Sequence, residues 1–465
     1  MTVLAINAGS SSLKFALYPL QDGVAQAASL TGSIDGLQPG GAPSLNWRLD
    51  RQSAWQRLEI ADQAAVNRGF PPMAGANSPV TAPPLADPAF AKSSPAFDTP
   101  PVFLPAAGFA DQAAFAAAAH FAEPESPPDP FGAALQALQS LLQQASAGRE
   151  LQAIAHRVVH GGEFFRQPVR VDAGVLQQLE SLAPLAPLHQ PHNLNGIAAL
   201  TRSFPHLPQI ACFDTAFHAT LTPEEYRFAL PESLREQGIR RYGFHGLSYQ
   251  YLRDNLQRLS PMAQGRVVMA HLGNGASLCA MREGNSCATS MGFSTLDGLM
   301  MGTRSGALDP GVLLHLLEQG WSQSKLQDLL YRQSGLLGVS GITADMRSLR
   351  QSDDPRAQLA IRMFVQRVVR ECGAMAASIG GLDALVFTGG IGEHDQQMRF
   401  DVCQRLGFFG LVLDQERNCQ VDGVQALPVH AASSNVEIWV IPTDEGRVAA
   451  QSAADYLSNN IHPGN

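Results

Sequence analysis

The hydrophobic and polar positions near the start of the chain form two apolar runs separated by a short polar segment. The runs span residues 3–6 and 13–17, and Asn, Ala, Gly and three serines lie between them. Short apolar runs bounded by Gly, Ser and Asn are typical of strands and turns, so this pattern predicts a strand–turn–strand unit. Lys14 lies at the beginning of the second predicted strand.

Beyond residue 130 the chain alternates between helical and extended apolar patterns. Leu135, Leu138, Leu141 and Leu142 have helical spacing, and the segment AIAHRVVHGG after them predicts a strand. The alternation continues to a last predicted strand, EIWVIPT, near the C-terminus. Such alternation indicates an α/β fold with mixed sheets.

A second strand–turn–strand pattern, VMAHLGNGASLCAM, begins at Val268. Aligned with the first pattern, it places Val3 on Val268 and Ser12 on Ser277, with a turn of small residues in the same place. Two such hairpins in one chain favour a duplicated domain. Chance similarity of a few positions is the competing interpretation.

Residues 64–130 differ from the rest of the chain in composition. Prolines crowd the first half, and an alanine-rich piece with further prolines closes the second. Because proline lacks a backbone donor, we expect most of this stretch to be a loop or an insertion without chemistry, with one short helix over 111–121.

Length and charge narrow the class of protein. The chain has 465 residues, so we expect two domains, and its 45% hydrophobic content indicates a folded globular protein. A formal net charge of −9 argues against nucleic acid or an anionic membrane as the main partner. The six cysteines form no C-x-x-C pair, and no leader-like segment or apolar run of ~18 residues is evident. We therefore expect a soluble, cytoplasmic protein with reduced thiols.

Three glycine-rich turns offer backbone N–H groups to a phosphate, since glycine has no Cβ to block the approach. They are NAGSSSLK, HLGNGAS and FTGGIGEH, each directly after an apolar run. None is a Walker A loop or a dinucleotide fingerprint, which disfavours a nicotinamide-dependent dehydrogenase. A plain hairpin turn is the alternative for the first of them, but three such turns together favour a nucleotide cleft.

Charged residues lie beside several of the predicted strands. Arg157 falls within an apolar strand, Asp214 at a strand end, His245 between Phe and Gly, and Arg304 in a loop of small residues. Taken singly, each is equally well explained by a cap, a turn or a surface ion pair. Together, two guanidinium groups, an acid and an imidazole are what phosphoryl transfer to an anionic acceptor requires. The acidic pair in VIPTDEGR fits either a helix N-terminus or a magnesium site.

Ten motifs occur along the chain in one order: NAGSSSLK, HRVVHGGE, APLH, FDTAFH, YGFHG, HLGNGAS, TSMGF, GTRSG, FTGGIGE and IPTDE. In this order they make the sequence resemble the acetate kinase family over nearly the whole chain outside residues 64–130. The resemblance implies an α/β fold of the actin and sugar-kinase type, with two duplicated ribonuclease-H-like domains, mixed five-stranded sheets and a nucleotide cleft between them. It also implies an N-terminal acyl-acceptor and magnesium domain of residues 1–217 plus 447–465, a nucleotide-binding and dimerisation domain of residues 218–446, and a homodimer.

The resemblance further implies reversible, Mg²⁺- or Mn²⁺-dependent phosphoryl transfer from ATP to acetate by direct in-line displacement, giving acetyl phosphate and ADP. The residues it assigns to catalysis are Asp214, His245, Arg304 and Arg157. Those it assigns to the acyl substrate are Arg157, Val159, Leu188, His189 and Phe244. Those it assigns to the nucleotide are Ser10, Ser12, Lys14, His271, Leu272, Gly273, Asn274, Gly275, Asp345, Met346, Arg347, Gly390, Ile391, Gly392, Glu393 and His394. It assigns Asn7 and Glu445 to the metal ion.

Four positions depart from the family pattern. They are Gln190 and His394, each in place of an asparagine, Gly446 in place of an acid, and Thr295 in place of a proline that lines the acyl pocket. A hydroxyl in that pocket predicts some activity on propionate, so a propionate or butyrate kinase on the same scaffold is the alternative function. A non-catalytic nucleotide-binding protein of the actin-like fold is a further alternative, which the presence of all the predicted catalytic residues disfavours.

Overall fold

A computed structural model describes residues 1–9, 11–37, 41–50, 53–60, 130–146, 148–187 and 189–461. Within these residues the chain forms two mixed β-sheets with helices on their faces. The segment 64–129, including the helix predicted over 111–121, lies outside the described residues, as do Ser10 and Leu188.

The first sheet is built on the hairpin predicted at the N-terminus. Its strands are β1 (Thr2–Ala8), β2 (Ser12–Gln21), β3 (Val24–Ala25), β4 (Leu30–Asp35), β5 (Ser44–Arg48), β6 (Gln56–Glu59), β7 (Leu151–Val158), β8 (Val169–Arg170) and β9 (Gln209–Phe213). Residues of β1 alternate between two apolar clusters, with Leu4 and Ile6 in one and Val3 and Ala5 in the other. Because side chains alternate across a strand, β1 is buried on both faces.

The second sheet repeats this arrangement. Its strands are β10 (Arg266–Leu272), β11 (Ala276–Arg282), β12 (Asn285–Thr289), β13 (Ala384–Thr388), β14 (Leu427–Pro428) and β15 (Glu437–Val440). In β10, Val268 and Ala270 belong to one buried cluster, and Val267 and Met269 to another. Like β1, β10 is a central strand with apolar groups on both faces.

The two sheets share one strand order, which confirms the predicted duplication. Five strands run β4-β2-β1-β7-β9 in the first sheet and β12-β11-β10-β13-β15 in the second. In each, the first three are antiparallel neighbours and the last three parallel neighbours. The predicted five-stranded mixed sheet is this shared core. The whole sheets are larger, with nine and six strands, because additional short strands pair with backbone groups at the core edges.

The residue-by-residue match between the hairpins holds on only one strand at a time. The last backbone pair closes a turn of residues 9–12 in the first hairpin and of residues 273–275 in the second. The second turn is shorter than the first. When Val3 is matched with Val268, the residues of the two second strands therefore occupy different positions in their hairpins, and Ser277 does not coincide with Ser12. The duplication is therefore one of topology rather than of aligned positions.

Helices cover both sheets. Their bounds are α1 (Pro130–Ala145), α2 (Ala173–Ser181), α3 (Gln190–Ser203), α4 (Pro223–Tyr226), α5 (Glu232–Arg235), α6 (Gly246–Leu259), α7 (Pro310–Glu318), α8 (Gln323–Arg332), α9 (Gly335–Ser340), α10 (Met346–Arg350), α11 (Pro355–Ser378), α12 (Gly389–His394), α13 (Gln396–Arg405), α14 (Gln415–Cys419) and α15 (Glu445–Ile461). Short 3₁₀ turns cover Ala183–Leu185, Ala216–Thr220, Pro261–Gln264 and Gly407–Phe409. Among the described helices none is long and apolar enough to cross a membrane.

The last helix, α15, returns to the first sheet. Its Ala450 and Ala453 share a buried cluster with Ala5 of β1 and Ala153 of β7. Small side chains on both surfaces allow the helix to lie close to the strands. The start of α15 is thereby placed next to the ends of these strands, where Glu445 lies.

Candidate active site

The carboxyl ends of the parallel strands meet at one edge of each sheet. β1, β7 and β9 run parallel, so Asn7, Arg157 and Asp214 lie along the edge of the first sheet. β10 and β13 run parallel in the second, which brings His271 and Thr388 to the corresponding edge. In open α/β sheets, ligands bind at this end of the strands.

Arg157 is the centre of an ion-pair cluster in which Asp214 is buried and Arg157 and Glu445 are half-buried. Its Nε lies 3.0 Å from Asp214 Oδ1, and its Nη2 lies 2.7 Å from Asp214 Oδ2. Its Nη1 lies 3.1 Å from Oε2 of Glu445, the first residue of α15. Asp214 is only 1% exposed, so the bidentate pair forms the inner part of the cluster.

Burial and neighbouring charges have opposite effects on the pKa values of Arg157 and Asp214. Burial lowers the pKa of Arg157, but the charges of Asp214 and Glu445 outweigh burial, and the net shift is upward. Burial raises the pKa of the Asp214 carboxyl, and the guanidinium of Arg157 opposes that shift. Arg157 therefore stays charged, and the bidentate contact fixes the plane of its guanidinium.

His245 and His271 stack on each other at the facing edge of the second sheet. Their ring centroids lie 4.2 Å apart with an interplanar angle of 16°. His245 precedes α6 in a left-handed conformation with φ of 59°, which is uncommon for a residue with a Cβ. Burial and the charges of His271 and Arg157 lower the pKa of His245 well below its ordinary value, and burial lowers that of His271 to about 4. Both imidazoles are therefore neutral near pH 7.

Arg304 has no carboxylate partner within the described part of the chain. Its Nη1 donates to the Thr295 carbonyl at 3.2 Å and approaches Met301 Sδ at 3.7 Å. Burial lowers the pKa of this guanidinium. A Cβ added to Gly275 would lie 3.8 Å from Arg304 Nη1 and 3.5 Å from His245 Nε2. A guanidinium, an imidazole and a glycine turn thus converge on one space.

Of the residues predicted to bind the acyl substrate, His189 lies near the guanidinium groups of Arg304 and Arg157, while Val159 and Phe244 are close to Arg157 and His245 along the chain. The pKa of His189 falls to about 4 because of its burial and the nearby charges of Arg304 and Arg157. Val159 and Phe244 belong to one buried apolar cluster. A small apolar wall beside two guanidinium groups suits a short carboxylate, since the charge and the alkyl group are both accommodated.

Asn193 was missed by the sequence analysis, yet it joins two strand ends. Its Oδ1 accepts a hydrogen bond from the Val159 N–H at 3.0 Å, and its Nδ2 donates to the Ala8 carbonyl at 2.8 Å. The side chain thereby holds the apolar wall against the N-terminal hairpin. No pattern in the sequence separates Asn193 from the other polar residues of α3.

A cavity of about 170 Å³ lies beside the ion-pair cluster and is lined in part by Asn7, Lys14, Tyr18 and Glu445. An amide oxygen and a carboxylate are ligands that Mg²⁺ prefers, and Mg²⁺ commonly takes only one or two protein ligands. Asn7 and Glu445 fit such an ion. Among the described residues, no group of three or more His, Cys, Asp or Glu side chains could hold a metal ion.

Gly446 provides space for a tyrosine at this cavity. A Cβ at Gly446 would lie 2.4 Å from Tyr18 Oη, and that hydroxyl donates to Asp444 Oδ1 at 2.6 Å. An acid at position 446, as the family pattern has it, would clash with the tyrosine in this position. The departure at Gly446 is therefore compensated locally by Tyr18.

A larger cavity, of about 1150 Å³, lies at the carboxyl ends of β10 and β13. The predicted nucleotide residues that line it are Gly273, Asn274, Asp345, Met346, Arg347, Gly390, Ile391 and His394. The lining residues that were missed are Thr343, Ala344, Arg350, Gln351, Asp395, Gln396 and Gln397. All of these lie close to predicted ones in the sequence, so the motifs located the segments but not their full extent. The volume is sufficient for a nucleotide.

Seven of the described residues predicted to bind the nucleotide do not line this cavity, and three of these seven are turned away from it. Leu272 is fully buried in the core of the second sheet, and Gly392 is buried within α12. The Glu393 side chain turns inward, where Oε1 accepts a hydrogen bond from the Gly389 N–H at 2.9 Å. In this structure these residues shape the glycine turn rather than the cavity wall.

The remaining predicted nucleotide residues lie nearer the reacting space. Lys14 lines the smaller cavity, and the Ser12 carbonyl closes the first turn by accepting from the Gly9 N–H at 2.7 Å. His271 and Gly275 adjoin His245, as described above. The two glycine turns of the duplicated hairpins therefore belong to different parts of the site.

The duplicated sheet order, with cationic groups where the two sheet edges face each other, is the architecture of phosphotransferases with the actin-like, sugar-kinase-like fold. Residues 117–451 match the model of the acetokinase family. Acetate kinase from Rhodopseudomonas palustris is 55% identical over 304 residues, which are 65% of this chain and 76% of that protein. Acetate kinase from Nitrobacter hamburgensis is 48% identical over 307 residues, which are 66% and 75%.

Solved structures agree with these relatives. The crystal structure of Porphyromonas gingivalis acetate kinase has a TM-score of 0.75 at 31% identity, over 98% of this chain and 99% of that one. That of a propionate kinase from Francisella tularensis has a TM-score of 0.75 at 30% identity, over 97% and 98%. The chain belongs to the acetokinase family. The prediction of a kinase with this fold, made from the ordered motifs, is confirmed.

Proposed function

We propose that the chain is an acetate kinase, which transfers the γ-phosphoryl group of ATP reversibly to acetate and gives acetyl phosphate and ADP. The observation that carries this proposal is the space bordered by Arg304, His245 and Gly275, where a half-buried guanidinium has no carboxylate partner among the described residues. Family membership and relatives that bear this name support the same reaction.

The chemistry requires charge neutralisation more than proton transfer. A carboxylate is already a nucleophile, so the difficulty lies in bringing two anions together. In the proposed mechanism Arg304 and His245 hold the transferring phosphoryl group, and their donors stabilise the charge of the in-line transition state. No general base is needed, which agrees with two neutral imidazoles whose pKa values lie below the ordinary range.

Arg157 binds the carboxylate of acetate in this proposal. A guanidinium has five N–H donors on three nitrogens, and the contacts to Asp214 and Glu445 engage one hydrogen on each of Nε, Nη1 and Nη2. Two N–H groups remain for an acceptor carboxylate. Asp214 acts as a positioning residue, because its bidentate contact sets the direction of those two groups.

Asn7 and Glu445 would hold Mg²⁺, with Mn²⁺ as the alternative ion, next to the donors of Ser12 and Lys14. A bound ion of this kind neutralises phosphate charge and orients the phosphate chain. The larger cavity would hold the adenosine. Its eight predicted lining residues include two glycines of turns after β10 and β13, where the backbone can come close to the ligand.

The domain boundaries follow the sheets in this proposal. Residues 1–217 contain the first sheet and residues 218–446 the second, while the described part of residues 447–465 continues α15 to Ile461, and this helix packs on the first sheet. Closure of the two domains over the nucleotide would exclude water and limit hydrolysis of ATP. All six cysteines are free thiols, which fits the cytoplasm as the proposed compartment.

Acyl phosphate formation tests the reaction directly. The protein is supplied with ATP, Mg²⁺ and acetate, propionate or butyrate, and acyl phosphate is trapped as the hydroxamate. Turnover on acetate with the highest kcat/KM of the three acids is the expected result. Measurable ATP binding without acyl phosphate from any acid would overturn the proposal and favour a non-catalytic nucleotide-binding protein.

A second candidate, propionate kinase, is favoured by the position of Thr295. This residue is 9% exposed, and its carbonyl accepts the Arg304 hydrogen bond at 3.2 Å. The backbone of Thr295 therefore contacts the guanidinium that borders the reacting space. A hydroxyl residue in place of proline changes both the size and the polarity of that side of the pocket.

Thr295→Pro should lower the propionate/acetate ratio of kcat/KM by about tenfold, at the lower end of the range that one methylene group contributes to specificity. The Arg304 contact is retained because a proline also has a carbonyl. Thr295→Val serves as the control, since it keeps the branched shape and removes only the hydroxyl. A ratio that does not fall in Thr295→Pro would show that Thr295 does not set the acyl preference.

The proposed homodimer has a candidate surface on α7. No residue of this helix is buried, and Val312, Leu314 and Leu317 are 41%, 62% and 49% exposed. Leu314 and Leu317 are three residues apart and so are neighbours on the helix surface, and exposed apolar neighbours of this kind mark interaction surfaces. A second copy of the chain is the occupant that the family resemblance implies.

Leu314→Asp should weaken the dimer by about 100-fold, because it places a charge in the apolar centre of the interface. Leu259→Asp on α6, where the leucine is 44% exposed, is the matched control and should leave the molar mass unchanged. Sedimentation or light scattering at micromolar protein measures the mass. A dimer of wild-type stability in Leu314→Asp would exclude α7 as the interface.

A further inference from the structure

We propose that Tyr249 and Ser277 are positioning residues that hold His245 as the tautomer with its hydrogen on Nε2, so that Nε2 donates to the phosphoryl group in transfer. The catalytic consequence rests on the proposed function, but the tautomer itself is a property of the resting protein. Tyr249 belongs to α6 and Ser277 to β11, so the arrangement exists only in the folded chain.

The side chains of Tyr249, Ser277 and His245 form a chain of two hydrogen bonds. Ser277 Oγ lies 2.8 Å from His245 Nδ1 and 2.5 Å from Tyr249 Oη. Tyr249 and Ser277 are both 0% exposed. Burial shields these hydrogen bonds from bulk water and makes an unpaired donor costly.

The number of hydrogens sets the direction of donation. The Tyr249 phenol has one hydrogen, and burial keeps it protonated by raising its pKa well above the ordinary value. Ser277 is its hydrogen-bond partner in the described part of the chain, so the phenol donates to Ser277 Oγ. The Ser277 hydroxyl hydrogen is then directed to His245 Nδ1, which must accept. A neutral imidazole that accepts at Nδ1 carries its hydrogen on Nε2.

Nε2 of His245 is the ring atom closest to the reacting space. A Cβ at Gly275 would lie 3.5 Å from Nε2 and 3.8 Å from Arg304 Nη1. His271 covers the face of the ring and has its own partner, with its Nδ1 2.9 Å from Ser248 Oγ. The edge of His245 that carries Nε2 therefore meets the space assigned to the phosphoryl group, where an N–H attracts an anion and a lone pair would repel it.

Nitrogen NMR of the resting protein, labelled with ¹⁵N-histidine, reads the tautomer directly. The His245 resonances are identified by their loss in His245→Gln. We expect Nδ1 as the unprotonated nitrogen and Nε2 as the protonated one at pH 7.5, and a rise in the other tautomer in Tyr249→Phe. Protonated Nδ1 as the main form in the wild type would overturn the inference, and the tautomer itself is measured on the unmodified protein, with His245→Gln used only to assign the resonances.

Kinetics test the consequence. Tyr249→Phe keeps the ring and removes only the hydroxyl, so kcat should fall about tenfold while the KM values for ATP and acetate change by less than about twofold. Tyr242→Phe is the matched control, since that hydroxyl donates to the Gly238 carbonyl at 2.8 Å, and its kcat should stay within about twofold of the wild type.

The outcomes separate this inference from the proposed function. An unchanged kcat and an unchanged tautomer in Tyr249→Phe would overturn the positioning role. If His245 carries its hydrogen on Nε2 but the protein forms no acyl phosphate, the positioning role is supported and the proposed function is overturned.

Discussion

Replacing Arg304 with alanine should lower kcat for acetyl phosphate formation by about 10³- to 10⁵-fold, the range for arginines that stabilise a transferring phosphoryl group. The guanidinium donates to the Thr295 carbonyl, and no carboxylate among the described residues pairs with it to neutralise its charge. In a buried site such a charge interacts strongly with a transition-state anion. The KM for ATP should change less, because other residues line the nucleotide cavity.

Two variants control this experiment. Arg304→Lys keeps the charge but loses the planar arrangement of donors, so its kcat should be only about tenfold higher than that of Arg304→Ala. Arg356→Ala removes an arginine that is 64% exposed and paired with Asp354 at 2.7 Å, and its kcat should stay within about twofold of wild type. Hydroxamate trapping at saturating ATP measures all three. A kcat for Arg304→Ala within tenfold of wild type would contradict the proposed role.

Replacing Asp214 with asparagine should lower the free energy of unfolding by about 3 to 5 kcal/mol, because it leaves the buried charge of Arg157 with only Glu445 as a partner. Catalysis should suffer as well. The Asn amide replaces one of the two acceptor oxygens with an NH₂ donor, which cannot pair with a guanidinium N–H, so the two-oxygen contact that fixes the guanidinium plane is lost. We expect kcat/KM for acetate to fall about 100-fold.

Asp383→Asn is the matched control for this variant. Asp383 also pairs with an arginine, Arg266, but the two side chains are 25% and 40% exposed, and such pairs contribute about 1 kcal/mol or less. Urea unfolding and acetate kinetics of both variants are compared with wild type. If the Asp214 carboxyl were neutral in the folded protein, asparagine would be nearly isosteric with it, and the two variants would lose equally little stability.

Both hairpins could be predicted because a central strand buried on two faces appears in the sequence as a continuous apolar run. Val3, Leu4, Ala5 and Ile6 form such a run although they divide between two clusters. The leucine spacing of α1 is equally local. These patterns depend on backbone geometry and burial, which act on residues near one another in the chain.

The ordered motifs identified the family and most segments of the site, but not the direction of each side chain. Gly390 reaches the nucleotide cavity, whereas Glu393 of the same motif turns inward and accepts from the Gly389 N–H. Asn193 was missed altogether, although it joins the ends of two strands. A motif records residue order, and side-chain direction depends on the neighbours that packing supplies.

By itself, the sequence determined the elements, their duplication and the kinds of chemical group available to the site. Only the tertiary structure decided which groups became partners. It joined Arg157 to Asp214 and Glu445, left Arg304 without a carboxylate partner in the described chain, and connected Tyr249 through Ser277 to His245. The reason is physical: strand register and packing bring together residues whose separation along the chain has no period, so no local pattern records their contact.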